Sequence, residues 1–163
     1  MIERTLVLLK PDAVQRSLVG EITARFERAG LKIVGMKLVW VDETFALKHY
    51  TEDLAKRRGE EVRKNMVKFL QEGPVVAITL EGVEAVEIVR KIVGATEPKA
   101  ALPGTIRGDY AHVCFSYADQ KKTIVRNLIH ASANKEDAKY EVHLWFNENE
   151  LHGYKTVHDV HVI

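Results

Sequence analysis

The chain has 163 residues, 46% hydrophobic and 29% charged, with a formal net charge of +1. That length suits one compact domain over residues 1–163, and the near-neutral charge excludes nucleic-acid binding by bulk positive potential, so an anionic ligand must be gripped by a few placed cations. One cysteine, Cys114, excludes an internal disulfide and fits a reducing compartment.

In chain order, Met1 leads into a strand-like run without a leader pattern, and no apolar run nears the roughly 18 residues of a membrane span, so no membrane partner and a cytoplasmic location are expected. Arg4 to Leu9 is almost wholly apolar, which suits a strand buried on both faces. Pro11 ends it and leaves Lys10 at the strand tip, a good place for a phosphate contact and equally an ordinary solvated end. Residues 17–30 have helical spacing through Leu18, Ile22 and Phe26, closed by Gly30. Leu31 to Val41 reads as a second strand. Asp42 caps a helix from Glu43 to Tyr50, and a charged helix follows from Glu52 to Gln71, weakened at Gly59.

Gly73-Pro74 stops that helix, and Val75 to Leu80 makes a third strand. Gly82 to Gly94 is an amphipathic helix with Val86, Val89 and Val93 inward, and Arg90 in its last turns complements the helix dipole. From Ala95 to Arg126 the periodicity fails, as in a long functional loop, with a short strand expected at His112 to Phe115. The Arg107-Gly108-Asp109 triplet has no secretion signal to support an adhesion role. The segment Arg126-Asn127-Leu128-Ile129-His130-Ala131-Ser132 is a short apolar step that ends on a histidine with small neighbours. Asn134 then caps a helix through Phe146, which carries Glu141 within reach of that ring. The order is βαββαβ, a ferredoxin-like α+β fold with a four-stranded antiparallel sheet, its first and third strands central and helices covering one face.

Alone, His130 reads as a core or interface histidine satisfied by hydrogen bonds. Its company suggests more. A neutral imidazole is a good nucleophile toward phosphorus, and its adduct is labile enough to pass the group on. A transferring phosphoryl needs positioning and electrostatic clamping, for which Lys10, Arg90 and Arg107 are the dispersed cations and Thr96 and Asn127 neutral donors. The usual Gly-rich phosphate loops are missing, and His158-x-x-His161 has metal-ligand spacing with no second cluster, so it reads as a polar tail.

Specific motifs run nearly end to end. They are Lys10-Pro11-Asp12, Val14-Gln15-Arg16, Val19-Gly20-Glu21-Ile22, His49-Tyr50, Gly73-Pro74-Val75-Val76 and Gly94-Ala95-Thr96. Pro103-Gly104-Thr105-Ile106-Arg107-Gly108-Asp109, Asn127-x-x-His130-x-Ser132, Glu141 and Leu144-Trp145-Phe146 complete the set. On these the chain resembles the nucleoside diphosphate kinases. The resemblance implies ping-pong transfer of the γ-phosphoryl of a nucleoside triphosphate, mainly ATP, to a nucleoside diphosphate through a phosphohistidine at His130, with Mg²⁺ carried by the nucleotide and no metal ligand on the chain. It implies phosphate contacts from Lys10, Arg90, Thr96 and Arg107, a sugar contact from Asn127 and again from Lys10, and a tyrosine, Tyr50, beside the lysine and the histidine. Ser132 and Glu141 match the partners that orient the histidine. It also implies a homo-oligomer, hexamer or tetramer.

Three departures stand out. The usual Ser-Asp-Ser reads Ser132-Ala133-Asn134, which removes a carboxylate near the metal side. The segment between Tyr50 and Met66 is replaced and lengthened, so the base-stacking phenylalanine falls on Val62. The chain also carries an insertion between Asp109 and Asn127. The competing readings are a nucleotide-binding regulatory module with weakened turnover, and a signalling protein that hands the phosphate of His130 to a protein.

Overall fold

The computed structural model describes residues 1–161. The elements run β1 (Ile2–Leu9), α1 (Pro11–Gln15), α2 (Val19–Arg28), β2 (Lys32–Val39), α3 (Glu43–His49), α4 (Glu52–Arg58), α5 (Glu60–Leu70), β3 (Val75–Val83) and α6 (Ala85–Val93). They continue with a 3-10 turn (Pro98–Ala100), α7 (Ile106–Tyr110), α8 (Phe115–Gln120), β4 (Ile129–Ala131), α9 (Lys135–Trp145), a second 3-10 turn (Glu148–Glu150) and α10 (His158–His161). The sheet order is β2-β3-β1-β4, every pairing antiparallel, so β1 and β3 are central as the sequence predicts. The fold is the expected ferredoxin-like α+β arrangement.

Helices cover both faces of the sheet, not one. Val7 and Leu9 of β1 pack with Ile22 and Phe26 of α2 and with Val89 and Val93 of α6. Leu6 and Leu8 point the other way, onto Ala46, Val67, Leu70, Val142 and Trp145 from α3, α5 and α9. The physical reason is the unbroken apolar run of β1, because alternate side chains leave a strand on opposite sides and a run with no polar face must be covered twice.

Three further expectations change. The charged helix after Tyr50 is two helices, broken where Gly59 takes φ 96°, a left-handed geometry that glycine adopts cheaply. The stretch from Ala95 to Arg126 holds a 3-10 turn and two short helices. The expected strand at His112–Phe115 is absent, and Phe115 instead opens α8, its N–H donating to the Glu97 carboxylate at 2.7 Å. The caps behave as expected, since Asp42 accepts from the Phe45 N–H at 2.7 Å and Asn134 from the Asp137 N–H at 2.8 Å.

Candidate active site

β1 and β4 place the site. Leu8 pairs with His130, and one residue past the strand the Lys10 N–H donates to the Leu128 carbonyl at 2.8 Å, so the lysine and the histidine emerge at the same end of the sheet. Just before β4 the chain kinks, with Leu128 at φ 70°. A left-handed leucine costs about 1–2 kcal/mol. It is held by burial of its side chain and by its N–H, which donates to the buried Asp12 carboxylate at 3.0 Å. Asp12 opens α1, the helix that follows Pro11, and its second oxygen has no partner among the described residues.

That kink turns Asn127 back toward β1. Lys10 Nζ donates to Asn127 Oδ1, and Asn127 Nδ2 donates to the Thr96 carbonyl at 2.7 Å. Arg107 is buried and fixed by three carbonyls, those of Asn127 (3.2 Å), Gly94 (3.1 Å) and Ile129 (2.6 Å). Gly94 and Gly108 allow this loop to close. A Cβ on Gly94 would sit 2.4 Å from Thr105 Oγ1, and one on Gly108 would sit 2.1 Å from the Leu102 carbonyl.

Burial pulls the Lys10 ammonium down to about 8, with Arg107 and Arg126 adding to the effect and Asp12 opposing it. Burial, and then the nearby Arg90, pull Arg107 down to about 10. Arg90 itself is exposed on the last turn of α6, with no hydrogen bond or ion pair among the described residues. Lys10 and Arg126 also flank one aromatic ring, at 5.1 and 4.8 Å from the Phe69 centroid. The cations therefore gather at one place, with Asp12 near Lys10 and Arg107 and with Glu72 paired to Arg126 at 2.8 Å.

The histidine is braced from α9. His130 Nε2 faces both oxygens of Glu141 at 2.9 and 3.0 Å, and Ser132 Oγ donates to the same carboxylate at 2.6 Å. Ser132 thus acts on Glu141 and not on the ring itself. Burial would raise the Glu141 carboxyl, but the charge and hydrogen bond of His130 override it and hold the group below its usual range. A carboxylate only accepts, so Nε2 carries the ring proton and Nδ1 keeps a lone pair free for attack. Tyr50 is buried at the end of α3, and burial pushes its hydroxyl well above the ordinary value.

Of the residues expected from the sequence, Lys10, Asn127, Arg107, His130, Ser132 and Glu141 form one connected cluster. Thr96 joins it through its carbonyl, its side chain being exposed and without a hydrogen-bond partner among the described residues. Sequence reasoning missed the parts played by Asp12 and His49. Asp12 belongs to the Lys10-Pro11-Asp12 motif, but its bond to Leu128 joins positions 116 residues apart.

A family model described as nucleoside diphosphate kinase matches residues 3–151. The chain belongs to the nucleoside diphosphate kinase family. Among relatives, it is 47% identical over 156 residues to the nucleoside diphosphate kinase of Borreliella burgdorferi, covering 95% of this chain and 93% of that protein. To that of Pyrococcus furiosus it is 48% identical over 153 residues, covering 94% and 88%. A solved Borrelia burgdorferi structure, a transition-state mimic of the kinase with bound vanadate and ADP, superposes with TM-score 0.96 at 46% identity, covering 98% of this chain and 96% of that one. A halophilic nucleoside diphosphate kinase from Halobacterium salinarum in complex with CDP superposes with TM-score 0.86 at 37% identity, covering 100% and 99%. As a nucleoside diphosphate kinase the chain is a phosphotransferase acting on nucleotides. Among the described residues no helix is long and apolar enough to cross a membrane.

Proposed function

We propose that the chain exchanges phosphoryl groups by a ping-pong route through His130. Nδ1 of the imidazole attacks the γ-phosphorus of a nucleoside triphosphate, the bond to the β-γ bridging oxygen breaks, and the diphosphate leaves. A second nucleoside diphosphate then attacks the phosphoryl on Nδ1 with its terminal oxygen and departs as a triphosphate. The observation that carries this reading is the Glu141–His130 pair at the same end of the sheet as the buried cations Lys10 and Arg107.

In this reading Glu141 keeps the proton on Nε2 through both halves of the cycle, and Ser132 holds Glu141. Lys10, Arg107 and Arg90 take the negative charge that spreads over the transferring group. The Thr96 hydroxyl, exposed at the rim, donates to the same phosphates. Asn127 and Lys10 meet the sugar, and Tyr50 lines the floor beside them. Val62 of α5, 40% exposed, stands where the base is received.

Mg²⁺ belongs to the substrate. Among the described residues the group of three metal-type ligands is His49, His130 and Glu141, two of them imidazoles, whereas Mg²⁺ takes oxygen ligands. It therefore arrives on the triphosphate, and ATP is the main donor. Self-assembly is the further part of the reading. β2 is an edge strand, and Met36, Leu38 and Trp40 stand exposed along one side of it and of its continuation, an apolar strip that a second copy would cover. Sedimentation that shows only monomers would remove this part.

The test is direct. Incubation with γ-labelled ATP should place an acid-labile label on the protein, and unlabelled GDP should collect it as GTP. In His130→Ala labelling should vanish while the fold persists. Label retained in the presence of GDP favours the signalling reading, and no label on the wild-type chain favours the binding module.

A further inference from the structure

His49 ends α3 directly beneath the nucleophile, and none of the roles above uses it. It is 7% exposed, and its ring stands edge to face with three aromatic neighbours: His130 at 4.5 Å and 86°, Trp145 at 5.6 Å and 83°, and Tyr50 at 4.7 Å and 60°. Burial, and then the nearby His130, lower its pKa to about 3, so it stays neutral at working pH.

His49, His130 and Glu141 each offer an atom within 4.8 Å of the others, a residue set that zinc would accept. The proton inventory argues against a metal. The Trp145 indole N–H, which can only donate, points at His49 Nδ1 at 3.3 Å, so Nδ1 accepts and Nε2 of the neutral ring carries the hydrogen. His49 Nε2 has no hydrogen-bond partner among the described residues. It presents a proton and not a lone pair, and a metal there would need that proton gone and the Trp145 bond broken.

We propose that His49 is a positioning residue for phosphoryl transfer: its ring, locked by Trp145, fixes the plane of the His130 imidazole. Glu141 selects which nitrogen of His130 faces inward, but one in-plane contact leaves the ring free to tilt about it. The perpendicular contact from His49 removes that freedom, so Nδ1 is held on the line of attack. A histidine serves better than a phenylalanine here because its Nδ1 also satisfies the buried Trp145 N–H, which would otherwise be left without an acceptor. The proposal rests on His130 being the nucleophile.

The experiment pairs turnover with a spectroscopic reading of the free protein. In His49→Ala, kcat for ATP and a diphosphate acceptor should fall roughly ten- to a hundredfold, as small misplacement of a reacting group does, with KM changed less than about twofold. Proton Overhauser contacts from the His130 ring hydrogens should fit one ring orientation in the wild type and an average over tilted orientations in the variant, with Nε2 protonated in both because Glu141 is unchanged. His49→Phe, which keeps the ring, should retain the single orientation and kcat within about fivefold. If His49→Ala does not fold, His49→Gln, with similar bulk and no ring, should show the same averaging. An unchanged kcat, a single His130 orientation in the ringless variant, or equal losses in the Phe and Ala variants overturns the proposal. So does binding of one equivalent of Zn²⁺ that His49→Ala abolishes, because it would show Nε2 free of its proton. If the wild type takes no label from ATP, the phosphohistidine reading fails, and the Overhauser contacts still decide whether His49 sets the ring.

Discussion

At the phosphate end of the cleft, Lys10, Asp12, Arg107, Asn127, Ser132 and Glu141 are all buried, and each bonds to another member of the group or to the backbone that carries it. At the end proposed to receive the base, Val62 of α5 is 40% exposed and the neighbouring α4 buries no residue. Both ends sit on one sheet, yet only one is built as a rigid polar core. The difference follows the chemistry. Every substrate of an exchange reaction brings the same phosphates but a different base, so fixed donors serve the first and a permissive shelf serves the second.

The contrast can be broken from either side. The largest effect expected is at Arg107. Replacing it by Ala should lower kcat/KM by about 10²–10³-fold, and should also lower Tm, because the carbonyls of Gly94, Asn127 and Ile129 lose their donor together. Steady-state kinetics and a melting curve report both, and a loss in Tm alone would remove Arg107 from the clamp. Next comes Glu141→Gln, expected to reduce kcat by roughly 10–100-fold, the usual cost of losing an orienting partner. Wild-type turnover there would mean that His130 needs no brace.

Lys10 gives the pH test. Its folded pKa lies near 8 against a usual 10.5, so in the free enzyme the ammonium loses its charge above about pH 8. The parameter kcat/KM reports the free enzyme and should fall above that pH, whereas kcat, measured with anion bound beside the lysine, should hold to higher pH. For stability the sign is opposite. Between about 8 and 10.5 the folded chain binds fewer protons than the unfolded one at this site, so Lys10 adds stability as pH rises through that window.

At the base end, Val62→Phe should lower KM for nucleotides about three- to tenfold, the worth of one stacking pair, and unaltered KM values would put the base elsewhere. The smallest effect belongs to Asp53→Ala. Its ion pair with Arg57 at 2.7 Å has both side chains about two-thirds exposed, and its loss should cost less than about 0.5 kcal/mol in denaturant unfolding. A cost near that of Arg107→Ala would erase the contrast.

The same division explains what could be read from the chain. Local chemistry was legible: Asp42 and Asn134 as caps, Gly30 as a helix end, Lys10 at a strand tip, and the apolar run of β1 as a central strand. Arg107 and Asn127 were legible as residue types, and the motifs around them carried the family. The helix pair split at Gly59 was half legible, since a glycine weakens a helix without saying whether it breaks. What stayed hidden depended on contacts far apart in sequence. The unbroken run of β1 demanded cover on both faces, yet the helices that give the second cover, α3, α5 and α9, are assigned to a face only by packing. Nothing near Asp12 announces a bond to Leu128, and nothing near His49 announces a ring 81 positions later, at 4.5 Å. Between Ala95 and Arg126 the short helices are too brief to show a period, and α7 is fixed by Thr105, which accepts from the Gly108 N–H at 3.1 Å.

Lys10 and Arg107 are buried with their like charges close together, an arrangement with a cost because the interior screens them poorly. A filled cleft relieves that repulsion, so the substrate is also a stabiliser of the fold, worth about 2.7 kcal/mol at a hundred times its dissociation constant. In a nucleotide-rich solution the chain should resist heat and proteases, and under starvation it should become their easier prey. Its lifetime is thereby tied to the supply of the compounds it handles.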